Sequence, residues 1–202
     1  MSFSKALLGL AAGAVFSSIA SAQNLNCFVQ QVDTPALRDN GVTERVGDLL
    51  ITCTGGTPTP GIGPDNFVPQ FNLQIFTSPA VNITSRILGG DVSEALLLID
   101  EPASGIQTLC GSTSTPATGS AAGTCPIRGT GNGIGTYNGT ATTGSGASTV
   151  WGRPNAFVGR RVGETSIVWN GIPFDPPGTG PARVMRISNV RINASQLNNV
   201  RG

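Results

Sequence analysis

Phe71-Asn72-Leu73-Gln74-Ile75 places three large apolar side chains at alternate positions with amides between them. Successive side chains on a β-strand point to opposite faces, so this period of two predicts a strand with one buried and one solvated face. The same reading extends outward. Asp48-Leu49-Leu50-Ile51-Thr52-Cys53 ends at Gly55-Gly56, Val81-Asn82-Ile83-Thr84 is a shorter candidate, and Ser166-Ile167-Val168-Trp169-Asn170 stops at Gly171. Glu94-Ala95-Leu96-Leu97-Leu98-Ile99-Asp100 is apolar throughout. Its shortness and the following Pro102 favour a strand buried on both faces over a helix.

The segment Ala182 to Ala194 changes phase. Met185 and Ile187 share one parity, Val190 and Ile192 the other, with the switch at Ser188-Asn189. A bulge or bend there keeps both pairs on one core, and a strand passing from one sheet to another does the same. Between the strands run loops such as Gly55 to Pro64 and Asp175 to Pro181, too rich in Gly and Pro for helix or inner strand. Many short strands, Gly/Pro loops and no long amphipathic helix predict an all-β fold. The specific expectation is an antiparallel β-sandwich, immunoglobulin-like or jelly-roll-like.

One stretch departs from this pattern. Residues 111–148 are dominated by Gly, Ser, Thr and Ala, and such a composition buries too little apolar surface for a core of its own. It reads as a long insertion, an excursion away from the core with at most one weak hairpin, carried by a single domain spanning residues 23–202.

Residues 1–22 have the three parts of a secretory signal: Lys5 beside the α-amine, an apolar run from Ala6 to Ile19, and Ala20-Ser21-Ala22 before the cut. Export predicts an oxidising surroundings for the four cysteines. Cys27–Cys53 joins two strand-like segments, and Cys110–Cys125 clamps the start of the insertion. Zinc is disfavoured because the chain has no His and no C-x-x-C.

Leu88-Gly-Gly-Asp-Val-Ser-Glu-Ala-Leu-Leu-Leu-Ile-Asp-Glu-Pro102 resembles a segment of uncharacterised secreted bacterial β-rich proteins. So does Ile172-Pro-Phe-Asp-Pro-Pro-Gly178 followed by Arg186-Ile-Ser-Asn-Val-Arg-Ile-Asn-Ala194. The resemblance implies export and carries no activity with it.

Charged residues are 11% of the chain, against roughly 25% in ordinary soluble proteins. Lys5 is the only lysine, so beyond the signal eleven Arg balance eleven Asp and Glu. A neutral chain without a basic cluster speaks against nucleic acid and anionic membrane as partners. Without His there is no Ser-His-Asp triad and no His-metal motif. Gly129 to Gly135 is glycine-rich but has neither G-x-G-x-x-G spacing nor a βαβ unit around it. Asp100 and Glu101, or Asp91 and Glu94, are the carboxylate pairs a glycoside hydrolase would need, although neighbours on a strand point apart. Asp65-Asn66 and Asp91 offer the oxygen ligands that calcium takes, without any repeated spacing.

Trp151 and Tyr137 are the candidate ligand-binding residues, an aromatic platform for sugars, while Trp169 lies mid-strand and belongs to the core. The expected function is a secreted, non-catalytic structural, surface or adhesion module that uses no cofactor. Its partners would be its own copies, other surface proteins or glycans. A carbohydrate-binding module is the second reading and a carboxylate-dependent hydrolase the third. For self-association the expected open edge is Val81–Thr84, because the exported chain has no Lys to blunt an edge strand.

Overall fold

The computed structural model describes residues 24–61, 63, 65–110, 125–144 and 150–200. The signal-like segment, its cleavage site and residues 111–124 and 145–149 lie outside them.

Among the described residues ten strands form, in chain order β1 (Asn26–Gln31), β2 (Glu44–Arg45), β3 (Leu49–Gly55), β4 (Gln70–Phe76), β5 (Ile87–Gly89), β6 (Val92–Ile99), β7 (Ala156–Val162), β8 (Ser166–Pro173), β9 (Gly178–Ser188) and β10 (Arg191–Ile192). Eight make one sheet ordered β1-β3-β9-β6-β7-β8-β4, with β5 attached to β6, and β10 pairs with β2 separately. Every pairing in both sheets is antiparallel. The large sheet curls on itself. Ile51 and Cys53 of β3 line the same cavity as Phe71 and Leu73 of β4. Leu49 and Ile75 likewise face a common space with Ile187. Among the described residues no helix is long and apolar enough to cross a membrane.

The alternation that predicts β4 is present as half-buried Phe71, Leu73 and Ile75 between exposed Asn72 and Gln74. In β6, Ala95, Leu97, Leu98 and Ile99 are all buried, as expected of a strand between two neighbours, here β9 and β7. The phase change in the last long segment marks the end of β9. Asn189 takes a left-handed backbone, φ 61°, and the chain passes into β10 of the small sheet. Met185, Ile187, Val190 and Ile192 thereby enter one core cluster. Trp169 is fully buried there, its indole N–H donating to the Phe157 carbonyl at 3.2 Å. Gly159 makes room for it: a Cβ at that position would stand 2.5 Å from Ile167 Cγ2 and 3.0 Å from the Trp169 ring.

Two expectations are corrected. Val81–Thr84 is not a strand and not an open edge. It holds one bridge, Ile83 to Ile192, and Val81 and Ile83 are buried. Its four amides donate to Thr77 Oγ1, Gln196 Oε1, Glu164 O and Arg191 O. The second concerns residues 125–144 of the insertion, which are packed into the body. Ile127, Thr136 and Tyr137 are buried, and Val68 donates its amide to the Ile127 carbonyl at 2.8 Å. Few apolar anchors suffice because backbone meets backbone closely there. A Cβ on Gly129 would lie 2.4 Å from the Thr59 carbonyl oxygen, and one on Gly133 would lie 2.7 Å from that of Pro176.

The cysteines pair as Cys27–Cys53 and Cys110–Cys125. The first ties β1 to β3 at directly opposed positions. The second joins Cys110 to Cys125, 15 residues apart.

Candidate functional site

Two clusters of chemistry-bearing side chains stand out. The first is a polar hub where the insertion meets β9 and the loop before it. Asp175 is fully buried. Its Oδ1 accepts from the Thr59 amide at 2.7 Å and its Oδ2 from the Thr136 hydroxyl at 2.6 Å. The Asp175 amide donates to Tyr137 Oη at 2.8 Å, and that hydroxyl donates to the Pro173 carbonyl at 2.7 Å. Arg183, on β9 and also buried, donates from Nε to the Asp175 carbonyl at 3.1 Å and from Nη2 to the Gly133 carbonyl at 2.6 Å. Its Nη1 pairs with Asp100 Oδ2. The guanidinium lies over the Tyr137 ring, 4.7 Å from the centroid, a geometry in which the ring quadrupole attracts the cation.

Tyr137 is therefore a core residue. It is nearly inaccessible and its hydroxyl is engaged on both sides, so it offers no sugar platform. Burial pushes its phenol pKa well above the ordinary value. The Asp175 amide and the Arg183 charge act against that rise without cancelling it.

A cavity of about 340 Å³ opens beside the hub, lined by Asp100, Glu101, Gly133, Ile134, Ala182 and Arg183. Asp100 and Glu101 both adopt left-handed backbone, φ 59° and 44°, a conformation that costs on the order of 1–3 kcal/mol per non-glycine residue. The ion pairs account for it. Asp100 bonds Arg183 and the Val184 amide, while Glu101 Oε1 meets Arg186 Nε at 2.9 Å. The two carboxylates are thus paired with different arginines of one strand. The other candidate pair is also divided: Asp91 meets Arg160 at 2.5 Å and Glu94 meets Arg191 at 3.1 Å. Among the described residues there is no group of three or more acidic, Cys or His side chains placed to hold a metal.

The second cluster is at the surface. Trp151 is half-buried and stands edge-to-face against Phe67, centroids 5.3 Å apart. Arg128 covers the Phe67 ring at 5.0 Å and donates to the Gly63 carbonyl at 2.7 Å. Arg153 donates to the Arg128 carbonyl at 2.9 Å. A bridge between Phe67 and Arg128 brings the loop before β4 to the insertion. Trp151 alone is legible as a surface aromatic. Phe67 and Arg128 join it through pairing between residues far apart in the chain, and the only local signal is an aromatic set in a Pro/Asp/Asn loop. The arrangement gathers two aromatic rings and two guanidinium groups at the surface.

Compared with protein-family models, with curated proteins and with solved structures, the chain matches none.

Proposed function

We propose that this chain is a secreted, non-catalytic structural or surface module. Its curled sheet would serve as a sandwich, with β1-β3-β9-β6 as one layer and β7-β8-β4 as the other over the Trp169 core. The observation that carries the reading is the use made of charge. In a chain so poor in charged residues, Asp48, Asp91, Glu94, Asp100 and Glu101 are each paired with an arginine across strands or loops. The buried Asp175 is taken up by framework donors. Such pairing supports a role in holding shape and leaves these carboxylates committed. Two disulfides fit export to an oxidising compartment.

The test is expression with residues 1–22 present. The expected product is released with Gln23 as its first residue, contains both disulfides and hydrolyses nothing in a panel of glycoside, ester and peptide substrates. Turnover abolished by Asp100→Asn or Glu101→Gln overturns the reading in favour of a hydrolase.

The Trp151–Phe67–Arg128 cluster favours glycan binding as a second reading. A glycan array answers it: binding that Trp151→Ala removes supports a carbohydrate-binding module, and an array blank for wild type rejects it.

A further inference from the structure

The sheet has two ends, and they differ. At the β4 end the ladder is irregular: its register shifts between Phe71 and Leu73, and Asn72 turns its side-chain oxygen to the Gly171 amide. Bulges of this kind discourage further pairing. At the other end β1 is regular, six residues in unbroken register with β3. All six are exposed, none is charged or proline, and the apolar Phe28 and Val29 are 54% and 64% exposed. Leu25 and Val32 extend the apolar character on both sides.

The direction of the free backbone groups follows from parity. The Val32 amide donates toward β3, to Asp48 O at 2.9 Å. By alternation the even residues of β1 face β3, and Cys27, Val29 and Gln31 aim their N–H and C=O groups outward. The opposed pair Cys27 and Cys53 agrees. Its Cα separation of 4.1 Å is that of a non-hydrogen-bonded pair, about 4.5 Å, and not of a bonded one, about 5.5 Å. Among the described residues no backbone group takes up this outer side.

We propose that β1 pairs antiparallel with β1 of a second copy of this chain about a twofold axis at Val29. This register sets Val29 opposite Val29 of the partner subunit and Cys27 opposite Gln31 of the partner subunit. It thereby uses every outward group of the strand. It also keeps the faces continuous, because residues of one parity meet the same parity, and a one-residue slip would reverse them. A strand that is uncharged along its whole length complements itself. The chain's formal net charge of +1 gives two copies little reason to repel. The Cys27–Cys53 bond holds β1 in place, so a newcomer adds outside it.

The dimer deepens the surface-module reading and rests on it. Light scattering of the oxidised protein over a concentration series should give a mass rising from one chain to two. Val29→Lys should remain at one chain, and Phe76→Lys, on the other edge, should dimerise like wild type. Val29→Cys should cross-link on oxidation, because a bonded pair's Cα separation of about 5.5 Å suits a disulfide. Phe28→Cys, whose opposite number is Gln30 of the partner subunit, should not. If Val29→Lys fails to fold, the cross-linking pair decides. A wild type that stays one chain at the highest attainable concentration overturns the dimer, and so does a Val29→Cys protein that does not link. Either result with secretion and processing intact leaves the module reading standing, whereas a chain that is not exported removes that reading instead.

Discussion

Replacing Arg183 with Met tests whether the polar hub is framework. Met keeps much of the volume and removes every donor. The Asp175 and Gly133 carbonyls each lose a buried donor, about 1 kcal/mol apiece. Contact with the Tyr137 ring is lost, about another 1 kcal/mol at the lower part of the range for a cation over an aromatic face. The pair with Asp100 is discounted because that carboxylate is one-third exposed, leaving about 1 kcal/mol at most. The expected loss is about 4 kcal/mol. Total stabilities of about 5–15 kcal/mol make that a large fraction.

The assay is urea unfolding with both disulfides intact. With a slope near 2 kcal/mol per molar urea, the midpoint should fall by about 2 M at unchanged slope. Arg38→Met is the control. Its pair with Glu44 sits on a largely exposed guanidinium, so its effect should stay within about 0.5 kcal/mol. Equal midpoints for the two variants would refute the argument that the hub holds the insertion to β9.

Three further outcomes are expected. Tyr137 is the chain's only tyrosine, so tyrosinate absorbance reports it alone. Its folded pKa is raised by burial, so its contribution to stability is complete below the ordinary value of about 10 and is lost as pH climbs from there toward the folded value, at about 1.4 kcal/mol per pH unit. Tyrosinate should then appear together with unfolding, and a titration near pH 10 in a protein that is still folded contradicts the burial. Gly159→Ala should destabilise by about 1–3 kcal/mol through overpacking against Ile167 and Trp169. The check is the urea midpoint read by tryptophan fluorescence. The double change Cys110→Ser with Cys125→Ser opens a closure of 15 residues, worth about 3 kcal/mol in the loop-entropy model, and should lower the thermal midpoint of unfolding.

Much of the sheet is written in local patterns. β4 is legible from alternation, β6 from an apolar run too short for a helix, and the β9–β10 break from a change of parity at Ser188-Asn189. β7 is not, because Ala156-Phe-Val-Gly-Arg-Arg-Val162 gives no clean period. It is defined by its neighbours, and Gly159, which looks like a weakness in a strand, is there for the Trp169 ring. Val81–Thr84 misleads for the opposite reason. Its alternation is real, but the burial of Val81 and Ile83 is met in a loop whose amides find scattered acceptors.

The insertion marks where composition stops being informative. Counting apolar side chains assigns residues 125–144 to the outside, since burial normally repays the ordering of a chain. Here Ile127 and Tyr137 are few, yet the segment is held through its backbone. Carbonyls accept from Arg183 and Val68, glycines permit van der Waals approach to Thr59 and Pro176, and Asp175 collects donors from both sides of the junction. None of these contacts is periodic, and their partners are separated by tens of residues. The same holds for the surface cluster, where Trp151 is legible alone and Phe67 and Arg128 are not. What a single sequence conceals in this protein is long-range polar pairing. That is also where its few charges go, which is why Arg183, and not any residue on a clean strand pattern, is the position whose loss should be felt most.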